Sequence, residues 1–154
     1  MFDFGFEMEE VMQGTHEFLS GRGPSGKFPF VFKVRWGTDN IKEWINPTGD
    51  KFLVNKMHGT LSAGGLGDNI PIEGTLTLKY FTEYKIVYEF TFELKGHKYY
   101  FVGEKVNIKP WNLQTSHTTC FGTLISDDVK IASRSITYFK LSTAFDFIKS
   151  FKII

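Results

Sequence analysis

"KIVYEFTFEL", residues 85–94, decides the fold, because its apolar side chains return at every second position. Ile86, Tyr88, Phe90, Phe92 and Leu94 share one side of an extended chain, while Lys85, Val87, Glu89, Thr91 and Glu93 share the other. This period suits a strand packed on one face and wet on the other; a helix would need apolar residues three and four apart. Lys95 and Gly96 follow as a tight turn, since glycine accepts the positive φ that hairpins require. "HKYYFVGEKV", residues 97–106, then reads as the returning strand.

The same pattern extends in both directions. "FPFVFKVRW" sets Phe28, Phe30, Phe32, Val34 and Trp36 against Pro29, Val31, Lys33 and Arg35. "FLVNKMHGTLSA" and "PIEGTLTLKYF" flank the glycine-rich loop "GGLGDN", and "SHTTCFGTLIS" and "KIASRSITYFKLS" flank Asp127 and Asp128, which gives two further hairpins. Phe2, Phe4, Phe6 and Met8 alternate at the start, and "VMQGTHEFLSG" supplies the first well-registered strand. Helix is scarce. "TDNIKEWINP" predicts two turns near 39–46, with Thr38 or Asn40 as N-cap, Glu43 in the capping-box position for Asn40, and Pro47 as the stop. "STAFDFIKSFKII" reads either as a closing helix capped by Ser142, with Phe147, Ile148 and Phe151 on one side, or as a last strand.

The tripeptide "GTL" occurs at Gly59, Gly74 and Gly122, too irregularly spaced for a structural repeat. Within each strand its glycine and leucine share a face, so an inward leucine places a bare backbone on the concave side, where a strand can bend sharply or another group can approach. Curved, sequential antiparallel strands define an all-β fold: a calycin- or lipocalin-like barrel, or a strongly curved sandwich, of about eight to ten strands. A chain of 154 residues makes one such domain.

Composition narrows the function classes. Lysine plus arginine (18) balance aspartate plus glutamate (17), which argues against nucleic acid as a partner. No window reaches the roughly 18 apolar residues of a membrane span. A single cysteine and an N-terminus without a basic n-region and continuous apolar stretch lead us to expect a cytoplasmic protein. The outstanding feature is aromatic: 17 phenylalanines, 6 tyrosines and 3 tryptophans. They suit half-buried pleated surfaces, or they line an apolar cavity.

"KPWNLQTSHTTCFGTL", residues 109–124, looks most like chemistry, with Ser116, His117 and Cys120 close together. In a strand, however, His117 points away from both Ser116 and Cys120, so no nucleophile meets its base there, and Cys120 reads as a small packed hydrophobe. Four histidines at 16, 58, 97 and 117 lack metal-ligand spacing, and no glycine-rich motif carries the GK[ST] of a phosphate cradle. No cofactor or metal is expected. "RGPSGK" reads as an exposed loop.

Glu104 interrupts the alternation of Val102 and Val106, and Arg134 interrupts that of Ala132 and Ile136. Read as core-facing, they predict a Glu104–Arg134 pair inside the barrel, either as a clasp or as the polar anchor of a ligand pocket. Trp111, after Pro110, reads as the cap of one end or the lip of a cavity.

The series "VMQGTHEF", "FPFVFKVRW", a short helix ending in "NP", "HGTLSAGGLGDNIPIEGTLTLKYF" and "GHKYYFVGEKV" resembles an accessory β-domain of large bacterial multidomain proteins. There it is fused to glucose-methanol-choline oxidoreductases similar to cholesterol oxidases, often with an α/β-hydrolase domain. The likeness covers most of the chain, through Met12 and Gly14, Gly59 and Thr60, "YYFVGEK" and the Thr-rich "SHTTCFGTL". Neither a nucleotide-binding motif nor a GxSxG elbow is present, so no enzyme activity is implied. The resemblance implies a free-standing helper module for apolar substrates such as sterols or other lipids.

These readings converge on a non-catalytic domain that binds a hydrophobic small molecule. Phe30, Phe32, Trp36, Tyr88, Phe90, Phe92, Tyr99 and Phe101 are its candidate lining, with Glu104, Trp111 and Arg134 as further ligand-binding candidates. The rival is an interaction module, monomeric or homodimeric, that docks on an oxidoreductase or hydrolase. A third class is a small enzyme using Glu104, His117 or Arg134.

Overall fold

The computed structural model describes residues 5–79, 83–106, 119–139 and 152–153. Its strands are β1 (Phe6–Phe18), β2 (Lys27–Thr38), β3 (Val54–Ala63), β4 (Gly67–Lys79), β5 (Lys85–Leu94), β6 (His97–Lys105), β7 (Thr119–Ile125) and β8 (Ile131–Phe139), with a short β9 (Lys152–Ile153). Each of β1 to β7 pairs antiparallel with the next, and β8 returns to β1, so eight strands close an up-and-down barrel. Closure pairs each of the eight main strands on both sides over part of its length, which leaves little edge to template aggregation. β8 covers Met12–Phe18 of β1, and β9 pairs with Phe6 and Glu7 on the part that β8 leaves open. Of "STAFDFIKSFKII", read as a closing helix or a last strand, the described part is β9, and the rest lies outside the described residues.

The inward faces follow the predicted parity. Tyr88, Phe90 and Phe92 on β5, Phe30 and Phe32 on β2 and Phe101 on β6 are all buried, while Glu89, Thr91 and Glu93 turn outward. The β5–β6 turn places Lys95 and Gly96 at φ of 52° and 81°, the two successive positive values of a hairpin turn whose twist matches its strands. In all three GTL copies the leucine is core: Leu61, Leu76 and Leu124 are at most 1% exposed. The bare glycine answers to different neighbours, however. A Cβ at Gly59 would overlap the Lys33 carbonyl of the adjacent strand, whereas one at Gly122 would run into the Phe101 ring and the Ser135 hydroxyl.

The helix is shorter than expected. α1 (Ile41–Trp44) makes a single turn, capped by Asn40, whose side chain accepts from the amides of Lys42 and Glu43. Trp44 folds back over the barrel end, its ring edge-on to Phe6 at 5.1 Å and its indole N–H donating to Asn55 at 3.1 Å.

The barrel's ends differ. One carries only compact reversals, at 19–26, 64–66, 95–96 and 126–130. From the other leave the longer connections, at 39–53 and 106–118. No helix among the described residues is long and apolar enough to cross a membrane.

Candidate functional site

The interior is built from aromatic rings in mutual contact. Phe90 and Phe101 stack at 4.5 Å between centroids, Phe30 stacks on Phe101 at 5.6 Å, and Phe32 lies 5.6 to 5.8 Å from Tyr88, Phe90 and Phe101. Tyr99 stacks on Phe92 at 5.0 Å toward the hairpin end, and Trp36 meets Phe6 edge-on at 6.2 Å toward the other. Six of the eight aromatic candidates are buried in one core cluster, and the partly buried Trp36 and Tyr99 pack against it. Gly103 and Gly122, paired across β6 and β7, leave the space that the Phe101 ring occupies.

Toward the end with the long connections, this apolar interior holds two charges. Glu10 on β1 and Lys105 on β6 have side chains only 5% and 4% exposed, and the Lys105 ammonium lies 3.3 Å from the Glu10 carboxylate. Tyr88 donates its hydroxyl to the other Glu10 oxygen at 2.7 Å, and the Lys105 nitrogen sits 5.2 Å from the Tyr88 ring centre, a cation over a π face. Parity places both residues. Glu10 shares the inward face of Phe6 and Met12, and Lys105 that of Phe101 and Gly103.

Beside the pair lie the polar groups of β7 and β8. Thr137 and Ser135 point inward, and the Ser135 hydroxyl has no hydrogen-bond partner among the described residues. The Thr137 hydroxyl faces the thiol of Cys120. Cys120 is buried, and desolvation pushes its thiol pKa up to about 12, with the Lys105 charge acting against the shift. The thiol thus stays protonated at neutral pH, as a packed residue does. Ser116, His117 and Trp111 lie outside the described residues.

The expected Glu104–Arg134 pair inside the barrel does not form. Both side chains point outward, because the inward register of β6 belongs to Phe101, Gly103 and Lys105, and that of β8 to Ser133, Ser135 and Thr137. Glu104 accepts from Lys85 at 3.3 Å instead. Glu104 and Arg134 do share a site of another kind, an outer groove of about 510 Å³ across β6, β7 and β8, lined also by Val102, Val106, Phe121 and Ile136.

Another buried polar residue, His16 on β1, lies toward the hairpin end. Its Nε2 donates to the Gly64 carbonyl at 2.8 Å, which fixes the tautomer, so that the Ser133 hydroxyl donates to Nδ1 at 3.1 Å. Phe18 and Phe30 pack against the ring at 4.8 and 5.1 Å. Burial lowers its pKa below 6.5, against the bond to Gly64. No group of three histidine, cysteine or acidic side chains suited to a metal occurs among the described residues.

Fold and interior together define a closed, eight-stranded antiparallel barrel with an aromatic core and an internal ion pair. No protein-family model matches the chain, and neither a curated protein nor a solved structure matches it.

Proposed function

We propose that the protein is a non-catalytic, calycin-like binding barrel for a hydrophobic small molecule of the lipid or sterol class that carries one polar group. The ligand enters at the end with the long connections, lays its apolar body on the aromatic cluster and brings its polar group to Glu10, Lys105 and Tyr88. The helper role implied by the family resemblance, beside an oxidoreductase or hydrolase, belongs to the same proposal.

The observation that carries this reading is the internal ion pair. Burying two charges costs several kcal/mol each before their attraction offsets it, and well-packed apolar residues of similar volume often serve stability as well or better. Stability therefore gives no reason to keep Glu10 and Lys105, whereas a few convergent polar groups in an apolar interior are what a small-molecule site needs. The Ser135 hydroxyl, which has no partner among the described residues, lies on the same inward surface.

Native mass spectrometry of the purified protein, followed by titration with a fluorescent fatty acid, a fatty amine and a sterol, tests the proposal. One equivalent of a co-purified or added ligand is expected, with affinity at least tenfold lower in Glu10→Leu/Lys105→Met. A protein that carries no small molecule and binds none of the three probes would refute it.

A further inference from the structure

The outer face of β6, β7 and β8 differs from that of β2 and β3. On β2 and β3 the outward positions include Lys33, Arg35, Lys56 and His58, all exposed. On β7 and β8 they include Phe121, Ile136 and Tyr138, exposed at 51%, 42% and 51%. A contiguous apolar surface of this kind, rimmed by charge, is the mark of a contact.

Its charges are arranged in opposition. Glu104 stands on β6 level with Phe121 and Ile136, and Arg134 stands on β8 level with Thr123 and Val102. The groove therefore carries a carboxylate at one corner and a guanidinium at the diagonally opposite corner, with Phe121 and Thr123 between them. Arg134 forms no ion pair among the described residues.

We infer that this face binds a second copy of the chain through an isologous contact. In such a contact residue i meets residue j and j meets i. A two-fold axis lying in the contact plane and crossing β7 between Phe121 and Thr123 brings Glu104 of each copy opposite Arg134 of the other. The same rotation sets Phe121 of one copy beside Ile136 of its partner. The two outer sheets then pack face to face, as in a sandwich. The charged corners fix the register, and the aromatic and aliphatic residues supply the burial. An unrelated partner would have to match an acidic and a basic corner together with the apolar strip; a second copy matches all three by symmetry.

Sedimentation velocity across a dilution series from micromolar to millimolar tests this. A reversible monomer–dimer equilibrium is expected. Arg134→Glu sets like charges face to face and is expected to weaken the dimer about tenfold or more. Glu104→Arg alone does the same, and the double exchange Glu104→Arg/Arg134→Glu restores association. Phe121→Ser, which leaves the charges alone, weakens it as well. Urea midpoints of all four variants, expected close to that of the wild type, separate lost association from lost folding. A chain that stays monomeric at every concentration, or a dimer indifferent to both charge reversals, would overturn the inference. Neither outcome bears on ligand binding in the interior.

Discussion

At the hairpin end of the barrel, His16 uses both ring nitrogens, one on a carbonyl and one on a hydroxyl, and packs among phenylalanine rings. Toward the opposite end, Glu10 and Lys105 bring full charges into an equally apolar interior, beside the Ser135 hydroxyl, which has no partner among the described residues. Both clusters are buried, and both link strands far apart in sequence. The difference lies in saturation. The histidine is neutral and satisfied, which is how a polar group serves a fold; the ion pair pays desolvation and stands beside an idle hydroxyl, which is how one serves a ligand.

The largest effect that sharpens this comparison comes from breaking the pair on one side. Lys105→Met leaves Glu10 buried without its cation and is expected to cost about 3–5 kcal/mol in urea unfolding. Glu10→Leu/Lys105→Met removes both charges and is expected to return within about 1 kcal/mol of the wild type while losing ligand affinity. A double variant as unstable as the single one would make the ion pair a structural clasp, and the contrast with His16 would disappear.

His16→Leu should lower stability by about 2 kcal/mol, because it strands the Gly64 carbonyl and the Ser133 hydroxyl, and should leave ligand affinity unchanged. The effect also has a pH signature. Burial lowers the folded-state pKa of His16 below 6.5, so between those two values the unfolded chain binds more protons than the folded one. The histidine's contribution is complete above pH 6.5, declines as pH falls toward the lowered value, and is flat below it. Urea midpoints measured from pH 7.5 to 5 should show this decline in the wild type and lose it in His16→Leu.

Ser135→Ala is the smaller and opposite case. Deleting a buried hydroxyl without a partner should leave stability unchanged or raise it by up to about 1 kcal/mol, while weakening the binding of a ligand whose polar group reaches β8. Paired calorimetric unfolding and titration give both readings on one protein. A loss of stability would place Ser135 with His16 rather than with Glu10.

The barrel was legible in the sequence because its signal is periodic. The alternation at 85–94, the Lys95–Gly96 turn and the glycine–leucine pairing in all three GTL copies each depend on two or three neighbouring residues. The internal ion pair was not legible, for a physical reason that β6 makes plain. Both faces of "HKYYFVGEKV" carry large apolar groups, Tyr99 and Phe101 inward, Tyr100 and Val102 outward, and Gly103 adds nothing to the inward side. Glu104, between two valines, therefore looked buried, and Lys105 looked like surface. The register that reverses them comes from the pairing of Phe101 with Phe90, eleven residues earlier across the turn. Applied at the sequence level, that hairpin register would have turned Lys105 inward with Phe101. Glu10 and His16 carried a weaker hint, since both share the parity of Met8, Met12 and Phe18.

The smallest predicted effect lies outside the barrel, at the same end as His16. Ser126 donates to Asp128 at 2.5 Å, Arg22 of the β1–β2 loop donates at 2.7 Å, and the Lys130 amide donates at 3.2 Å, so three donors converge on one exposed carboxylate. Led by the Ser126 bond and then by Arg22, they lower its pKa from 3.8 to about 2. A depressed carboxylate contributes above its unfolded value and loses that contribution as pH falls through the folded one, so the Asp128 window runs from about 3.8 down to about 2. It does not overlap the onset of the His16 decline below 6.5. Acid unfolding of Asp128→Asn should therefore differ from the wild type in having a slightly shallower slope below pH 4, with the His16 region unchanged. A change in the slope above pH 5 instead would mean that the exposed hairpin clamp and the buried histidine act as one unit, and that the hairpin end is held from outside as much as from within.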